Sequence, residues 1–409
     1  MEEWKEYKLG EICTKIGSGA TPKGGKEAYL GGDTSLIRSQ NVLDFSFSWD
    51  GLAYIDDEQA AKLNGVIIER GDVLLNITGD SVARACIVPE SALPARVNQH
   101  VSIIRGNTAI VLNDYILYFL QYKKPYLLSL SKGGATRNAL TKGMIEDLLI
   151  PLPPIFKQAE IVRVLKSLDD KIEVNRRIND NLEQQAQALF KSWFVDFEPF
   201  KNGEFQETEV GFIPKGWEVV SLSAIADYIN GLAMQKYRPL EGEKGLPVLK
   251  IKELGQGNTD DSSESCSPSL IGEKYIIDDG DIIFSWSGTL MVKVWCGGKC
   301  GLNQHLFVVE PKDYPHWFVY QWTKYHLDNF IHIAKDKAVT MGHIKRGELD
   351  KAKVVVPDGT SMAAIDSMMK PLHRQIISNE IESRRLASLR DTLLPRLMSG
   401  ELKVEDITL

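Results

Sequence analysis

The chain has 409 residues, of which 43% are hydrophobic and 25% charged, and its formal net charge is −7. These values fit a soluble protein, and the length fits two globular domains with connecting helices. The sequence contains no long apolar run and no signal-peptide pattern, so we expect neither membrane insertion nor secretion. An odd number of cysteines without matching spacings favours reduced thiols and a cytoplasmic location. They are Cys13, Cys86, Cys266, Cys296 and Cys300.

The sequence is internally duplicated. Trp4, Leu9 and Ile12 recur as Trp217, Leu222 and Ile225, the segment 71–75 recurs as 280–284, and Asn98-Gln99-His100 recurs as Asn303-Gln304-His305. The offset between the copies falls from 213 at the first tryptophan to 204 at Leu140 and Ile344, and then stays at 204. A duplication of this length predicts two similar modules.

Residues 1–152 are predicted to form a mixed α/β module. Short apolar segments bounded by Gly, Asp and Asn predict strands within 35–42, 65–77 and 97–104. The apolar and aromatic run 113–121 predicts a buried helix, and 314–330 is its counterpart. Core packing is favoured there over a platform for stacking bases. Each module then closes with a basic loop and a strand that ends in proline, over 132–153 and 335–357.

A long helical pattern follows each module. Mostly apolar residues recur at spacings that alternate between four and three. They are Ile161, Leu165, Leu168, Ile172, Asn175, Asn179, Leu182, Ala186, Leu189 and Trp193, and the pattern returns 204 residues later, from Ile365 to Leu397. This period is typical of an a/d seam. It favours an intramolecular antiparallel helix pair over two amphipathic helices on separate domains. The 33 residues 161–193 would span about 50 Å.

Two features qualify the helix pair. Pro371 is predicted to open the second long helix, which would leave 361–369 as a separate short helix, and Pro395 is predicted to kink or end it. Asn175 and Asn379 are polar seam residues that we expect to face each other and to fix the register.

The segments beyond the helices also yield expectations. The aromatic cluster 193–200 is predicted to pack on its own module rather than on a partner. A linker over 203–211 leads into the second copy. Because 399–402 occupies the place that this linker has in the first copy, the C-terminus is predicted to return beside the first module.

The predicted fold class is therefore α+β. It comprises two similar mixed α/β domains joined by two long antiparallel helices, with a pseudo-two-fold axis and a near-circular layout. The predicted boundaries are 1–152 for the first domain, 153–200 for the first helix, 201–357 for the linker and second domain, and 358–409 for the second helix and tail.

No catalytic motif is present. The sequence lacks an Asn/Asp-Pro-Pro-aromatic segment, a phosphate-binding G-x-x-x-x-G-K-[ST] loop, His-Glu-x-x-His and Gly-x-Ser-x-Gly. Cys296, Cys300 and His305 outline a zinc site only weakly, because the first copy lacks matching ligands. The two Asn-Gln-His segments either fix a turn by hydrogen bonds or contact DNA, and both interpretations stay open.

Basic residues are concentrated in corresponding parts of the two copies. Residues 84–142 contain eight Lys or Arg and two acids, while 293–346 contain eight and four, with five of the seven histidines. Recurrence in both copies favours contact with DNA phosphates over a merely solvated surface.

The candidate DNA-binding residues are polar side chains near segment ends. In the first copy they are Arg38, Ser39, Gln40, Asn41, Thr78, Arg84, Lys132, Arg137, Asn138 and Lys142; in the second they are Lys250, Lys252, Ser287, Thr289, Lys293, Lys335, Lys337, Lys345 and Arg346. For any single one of them, an ordinary solvated side chain is the alternative. Corresponding positions differ, Arg38 against Lys250 and Arg137 against Met341, so two different DNA sequences are expected.

The order of these segments resembles the specificity subunit of a type I restriction–modification system. The resemblance covers essentially the whole chain and rests on Trp-x4-Leu-x2-Ile, the segments 71–75 and 280–284, Asn-Gln-His, 150–154, 168–172, 189–197 and 393–400. The second copy departs from it at Ser361-Met362, which stand in place of Lys157-Gln158, and at Pro371.

The resemblance implies a non-catalytic subunit with two target-recognition domains, each reading half of an asymmetric bipartite site in double-stranded DNA. It implies two methyltransferase subunits as partners, which methylate adenine from S-adenosylmethionine, and motor-nuclease subunits for restriction. This chain would hold no cofactor; S-adenosylmethionine, ATP and Mg²⁺ would belong to the partners. The alternative is a coiled-coil scaffold that assembles proteins and binds no DNA.

Overall fold

The computed structural model describes residues 4–22, 29, 31–132, 139–260, 262–336 and 344–407. The chain forms two compact units, unit 1 with Met1–Asp170 and Leu386–Leu409, and unit 2 with Lys171–Arg385. Both divisions fall inside long helices, so each unit contains part of both helices. The predicted domain boundaries and the predicted near-circular layout stay predictions.

Unit 1 has the mixed α/β composition that the sequence predicts. Its elements are β1 (Lys5–Lys8), α1 (Leu9–Ile12), β2 (Cys13–Ser18), β3 (Thr34–Ile37), β4 (Ala53–Ile55), α2 (Asp57–Lys62), β5 (Val73–Asn76), β6 (Ala85–Ile87), β7 (Ala95–Val97), β8 (Val101–Gly106), α3 (Asn113–Tyr122), α4 (Lys124–Ser131), α5 (Lys142–Glu146), β9 (Leu149–Leu152) and the start of α6 (Ile155–Phe194). An antiparallel sheet has the order β2-β8-β5-β6, a second sheet has the order β4-β3-β7, and β1 pairs with β9.

Unit 2 repeats this plan. Its elements are β10 (Phe205–Thr208), β11 (Gly211–Pro214), β12 (Glu218–Ser221), α7 (Leu222–Ile225), β13 (Ala226–Asn230), β14 (Leu246–Leu249), α8 (Ile251–Gln256), β15 (Ser265–Cys266), β16 (Ile276–Ile277), β17 (Ile282–Ser285), β18 (Met291–Val294), β19 (Cys300–Leu302), β20 (Leu306–Pro311), α9 (His316–Tyr325), α10 (Leu327–Asp336), α11 (Gly347–Lys351), β21 (Lys353–Val356) and most of α12 (Gly359–Met398).

The main sheets of the two units correspond strand for strand, whereas the second sheet of unit 2, with the order β15-β14-β19-β16, has one strand more than that of unit 1. The order β13-β20-β17-β18 matches β2-β8-β5-β6, and the parallel pair β14 and β19 matches β3 and β7. The segments 71–75 and 280–284 lead into β5 and β17, and every residue of these two strands is buried. Such continuously apolar runs fit strands covered on both faces. The aromatic helices α3 and α9 are each buried over seven consecutive residues, as the core interpretation predicted.

Both long helices contain 40 residues, which corresponds to about 60 Å of helix. The prediction of a separate helix over 361–369 is wrong, because α12 runs through Pro371 without a break, and Pro395 does not end it. Both prolines lie on the exposed face, where water can solvate the carbonyl that loses its N–H partner. Met369 and His373 flank Pro371 and are buried, so packing offsets the cost of the lost hydrogen bond.

The helices run antiparallel where unit 2 holds them together. Asn175 Nδ2 lies 3.4 Å from the Asn379 carbonyl oxygen and donates to Glu382 at 2.7 Å. The side chain of Asn379 pairs with a different residue, because its Nδ2 donates to Asn179 Oδ1 at 2.8 Å. Asn179 in turn donates to the Ile376 carbonyl at 3.1 Å. The two seam asparagines are therefore neighbours, but the side-chain pair is Asn179–Asn379.

Each unit fastens the helices to its module with different groups. In unit 1, Arg390 forms a largely buried ion pair with Asp169 at 2.6 Å, and Asp169 also accepts a hydrogen bond from the Tyr118 hydroxyl at 2.7 Å. In unit 2, Arg384 donates to both carboxylate oxygens of Asp279, from Nη1 to Oδ1 and from Nη2 to Oδ2, the latter at 2.7 Å.

The ends of both helices are covered within their own units. Phe194 is buried beside Trp217, and Phe200 contacts the same tryptophan with ring centroids 4.8 Å apart. The aromatic cluster therefore packs within this chain, but on the second module and not on the module that it follows, so the prediction that it packs on its own module is wrong. The tail of unit 1 packs Leu402 and Val404 against the core of that unit, and the backbone at Gly400 lies close to Trp4. The predicted return of the C-terminus beside the first module is confirmed.

Replacing Asn379 by alanine should lower the free energy of unfolding by about 1–3 kcal/mol, because the side-chain oxygen of the buried Asn179 would lose its donor. Urea-induced unfolding followed by circular dichroism measures this loss. Ser378→Ala, one residue away on the exposed face, is the matched control and should change stability little. Equal midpoints for the two variants would contradict a structural role for the asparagine network.

A pair of histidines, His373 buried and His316 half-buried, makes unit 2 sensitive to acid. His316 Nδ1 lies 2.7 Å from His373 Nε2. Burial, together with the charge of His316, lowers the pKa of His373 to about 3, and burial also lowers the pKa of His316. Because both folded-state pKa values lie below those of the unfolded chain, the unfolded chain binds more protons once the pH falls below about 6.5. Stability is therefore present at neutral pH and is lost as the pH falls.

We expect protonation of the unfolded chain at His373 to lower stability on the order of 1–2 kcal/mol between pH 7 and pH 5. Thermal unfolding at both pH values measures the loss. The loss should be smaller in His373→Gln, whereas His332→Gln, at an exposed position, should keep the full loss. An unchanged acid response in His373→Gln would exclude the pair as its source.

Candidate nucleic-acid interface

Each unit brings three polar segments together at one place. In unit 1, β5 runs on to Thr78, the Asn-Gln-His turn joins β7 to β8, and Leu140 N donates to the Ile77 carbonyl at 2.8 Å. In unit 2, β17 runs on to Ser287, the second Asn-Gln-His turn joins β19 to β20, and Ile344 N donates to the Trp286 carbonyl at 3.2 Å. We call these places the Thr78 cluster and the Ser287 cluster. The repeat therefore places the same local site in both units.

The histidine at the centre of each cluster is held through both ring nitrogens. His100 Nδ1 lies 2.6 Å from the Thr78 hydroxyl and its Nε2 lies 3.1 Å from Gln99 Nε2. His305 repeats both contacts, with the Ser287 hydroxyl at 3.0 Å and with Gln304 Nε2 at 3.3 Å.

The buried asparagines fix the turns themselves. Asn98 Oδ1 accepts a hydrogen bond from the His100 backbone N–H at 3.0 Å, and Asn303 Oδ1 accepts the corresponding bond from His305 at 3.2 Å. The interpretation that these segments fix a turn is confirmed. Gln99 is exposed and Gln304 is half-buried, so both glutamines stay accessible beside a fixed ring.

The residues after β3 and β14 also correspond. The backbone N–H of Arg38 donates to Asn41 Oδ1 at 3.1 Å, and that of Lys250 donates to Glu253 Oε2 at 3.2 Å. The side chains differ: the Arg38 guanidinium donates to the Gly51 carbonyl, whereas Lys250 Nζ pairs with Glu264 at 2.6 Å.

Three further candidates belong to the Arg38 loop. Asn41 is fully buried, and its side-chain amide donates to the Ser48 carbonyl. Gln40 is exposed and donates to the Asp50 carbonyl at 3.1 Å, and Ser39 is half-buried. Asn41 thus holds the loop together, while Gln40 lies at its surface.

The remaining candidates lie at varied depths. Thr78 and Arg84 are half-buried, Lys132 and Lys142 are exposed, and Lys142 lies 3.4 Å from Glu146. In unit 2, Ser287 is buried beside His305, whereas Lys252, Thr289, Lys335, Lys345 and Arg346 are exposed. Two of these make further contacts, Lys252 with the Ser262 hydroxyl at 3.2 Å and Arg346 with the Tyr228 carbonyl at 2.7 Å.

Lys293 is not part of either cluster. Lys293 is half-buried and donates to the Gly255 carbonyl at 2.8 Å, and burial lowers its pKa. It lines a cavity of about 320 Å³ together with Asn179 and Glu380 of the helices, so it faces the helix pair. Arg137, Asn138 and Lys337 lie outside the described residues.

The basic stretches present fewer free charges than the sequence suggests. Arg105 binds the fully buried Asp72 through Nε and Nη2, each at 2.7 Å. Arg96 is buried and donates to the Ala95 carbonyl at 3.0 Å, and Lys124 pairs with Asp44. In unit 2, Lys312 and Lys324 pair with Asp227 and Glu183. Much of the positive charge therefore maintains the modules themselves.

Trp286 is a residue of the Ser287 cluster that the sequence interpretation missed. It is half-buried, its Nε1 donates to Asn230 Oδ1 at 3.0 Å, and its ring lies 6.3 Å from that of His305. Its counterpart in the repeat is the buried Ile77. The replacement of an apolar residue by tryptophan next to the second Asn-Gln-His turn was the available signal.

A zinc site at Cys296 and Cys300 gains no support. Over the described ranges, no group of three or more His, Cys, Asp or Glu side chains is arranged to hold a metal ion. Burial raises the pKa of both thiols to about 12, which disfavours the thiolates that bind zinc. Within the same ranges, no helix is both long and apolar enough to cross a membrane.

The chain belongs to the family described as the type I restriction modification DNA specificity domain, whose family model matches residues 1–184 and 214–386. This confirms the resemblance, and it assigns the chain the role of a specificity subunit, which is not the catalytic component. Among curated relatives, the MjaIX specificity subunit of Methanocaldococcus jannaschii is 28% identical over 99% of this chain and 95% of its own length. The HindI specificity subunit of Haemophilus influenzae is 25% identical over 98% of this chain and 100% of its length.

A solved structure supports the fold. The S subunit of a type I restriction–modification system from M. genitalium matches with a TM-score of 0.53 and 14% identity, over 96% of both chains. The predicted α+β class of two target-recognition domains joined by helices is thereby confirmed.

Arg105→Ala should cost about 3–5 kcal/mol of stability, because it leaves the buried Asp72 carboxylate without its cation. Chemical denaturation of the full chain tests this. Lys132→Ala removes an exposed cation from the same basic stretch and should fall within about 0.5 kcal/mol of the parent chain. If Arg105→Ala is equally harmless, the arginine is not a structural residue.

Proposed function

We propose that this chain binds an asymmetric bipartite site in double-stranded DNA, one half-site for each unit. The observation that carries the proposal is the repetition of one polar cluster in both units with different residues around it. The Thr78 and Ser287 clusters share the histidine, glutamine and hydroxyl group and their mutual contacts. Equal sites with unequal surroundings fit a protein that reads two different short sequences.

The unequal residues have the chemistry of base recognition. Arg38 offers a guanidinium, which in the major groove binds guanine through two hydrogen bonds. The corresponding Lys250 is held by Glu264, which supplies an acceptor that Arg38 does not meet. Trp286 adds an aromatic ring where unit 1 has Ile77. These differences support different half-sites for the two units.

The helices provide the surface for partner subunits in this proposal. Val174 and Ile178 lie one turn apart on α6 with 46% and 42% of their surface exposed, and Met368 and Leu389 on α12 are each 39% exposed. Exposed apolar residues on a helix are typical of protein contacts. Two methyltransferase subunits would dock here and methylate adenine in each half-site, and motor-nuclease subunits would add restriction. S-adenosylmethionine, ATP and Mg²⁺ would be bound by those partners.

Single-molecule mapping of methylated adenine in host DNA, with and without this chain, tests the proposal. We expect one bipartite motif with unspecified base pairs between its halves, present only when the chain is present. Arg38→Ala should relax the half-site that unit 1 reads, and Lys250→Ala should change only the other half-site. If both variants alter the same half-site, the assignment of one half-site to each unit is wrong.

Binding in solution separates this function from that of a protein scaffold. Affinity for DNA should fall steeply with salt, as neutralised phosphates release their counterions. A scaffold would retain no DNA, and its binding to protein partners would be insensitive to salt.

A further inference from the structure

The two Asn-Gln-His turns are identical where the rest of the interface differs. Each has a buried asparagine that fixes the turn, an imidazole held at both nitrogens, and a glutamine beside the ring. The hydroxyl partner is threonine in one unit and serine in the other, so the donor group is the same. Identical groups in the same geometry cannot distinguish two different half-sites.

Close backbone contact holds each turn in place. A Cβ atom on Gly19 would lie 1.7 Å from the Val97 carbonyl oxygen, and one on Gly231 would lie 2.3 Å from the Asn303 carbonyl oxygen. Only glycine fits at such distances. The backbone N–H of Gly19 also donates to the Asn98 carbonyl at 3.1 Å. The turns are therefore fixed features against which DNA would be positioned.

The hydrogen bonds of the first turn leave two donors unused. Gln99 Oε1 is bonded to the Thr21 hydroxyl, so the Gln99 amide nitrogen faces His100 and donates to its Nε2. The His100 proton then lies on Nδ1 and points to the Thr78 oxygen. The Thr78 hydroxyl hydrogen and the second Gln99 N–H have no acceptor among the described residues. In unit 2 the Ser287 hydroxyl and the Gln304 amide nitrogen lie beside the same two ring nitrogens of His305.

We propose that the Asn-Gln-His turns bind the DNA backbone, with the glutamine amide of each turn and, in unit 1, the half-buried Thr78 hydroxyl donating to phosphate oxygens. The inference rests on the proposed function and deepens it, because it separates residues that position DNA from residues that read it. Phosphate contacts by Ser, Thr and Gln side chains fix the register of a protein on DNA without carrying sequence information. This explains why the turns stay equal while Arg38 and Lys250 differ.

The glutamine variants distinguish phosphate contact from base contact. Gln99→Ala in the full chain should weaken binding roughly threefold to tenfold, by the same factor for every half-site sequence. Gln99→Glu should weaken binding further at low salt, and added salt should narrow the deficit by screening the repulsion between carboxylate and phosphate. Gln304→Ala should give a loss similar to that of Gln99→Ala. Affinities for a library of randomised half-sites, measured at two salt concentrations, provide all of these values.

The same affinity measurements can contradict the phosphate contact. A glutamine that reads adenine would become, in Gln99→Glu, an acceptor that prefers cytosine, so a shift of base preference would refute the phosphate contact. Unchanged affinity in Gln99→Ala would also refute it. Gln187→Ala, at an exposed position on α6, is the control, and equal melting temperatures exclude misfolding. If the unaltered chain selects no DNA, the proposed function fails; if it selects a bipartite site and Gln99→Glu changes the base, only this inference fails.

Discussion

The apolar seams of α6 and α12 are the constraint on which the two units depend, because each seam is also part of a module core. In unit 1, Ile161, Leu165 and Leu168 belong to one buried cluster with Leu393, Leu397 and the aromatic helix α3. In unit 2, Ala186 and Phe190 share a cluster with Ile365, Met369 and α9. A module here cannot bury its own face without the helices.

The same scaffold is fastened by different chemistry in the two units. Unit 1 uses the largely buried pair of Arg390 and Asp169, with the Tyr118 hydroxyl and the Phe45 ring around it. Unit 2 places two neutral imidazoles and a bidentate Arg384–Asp279 pair in the corresponding region. Buried ion pairs contribute little net stability, but they penalise any arrangement that separates the charges. The contacts between helices and module therefore favour the native arrangement in each unit over arrangements in which these charged groups lose their partners.

The periodic and repeated features of the fold could be predicted from sequence, and features that depend on distant partners could not. The duplication and the mixed modules could be predicted because the same residues recur in both copies. The 40-residue helices could be predicted because their apolar residues keep one constant spacing pattern in each copy. Pro371 misled because sequence does not show that it lies on the exposed face between buried residues. Asn379 pairs with Asn179 instead of Asn175, since register at the level of one turn depends on how the helices pack. At the candidate site, charge counting overstated the basic surface, because Arg105 meets Asp72 33 residues away in sequence.

The five cysteines have a practical consequence for studying this protein. Burial raises the pKa of every one of them, and four are fully buried. The thiolate is the form of cysteine that attacks thiol reagents, so the native thiols should react slowly at neutral pH. A cysteine introduced on the exposed surface would then react first, without removal of the native ones. Fluorophores or spin labels could be placed on either unit in this way, and the distance between the two units could be followed directly in solution.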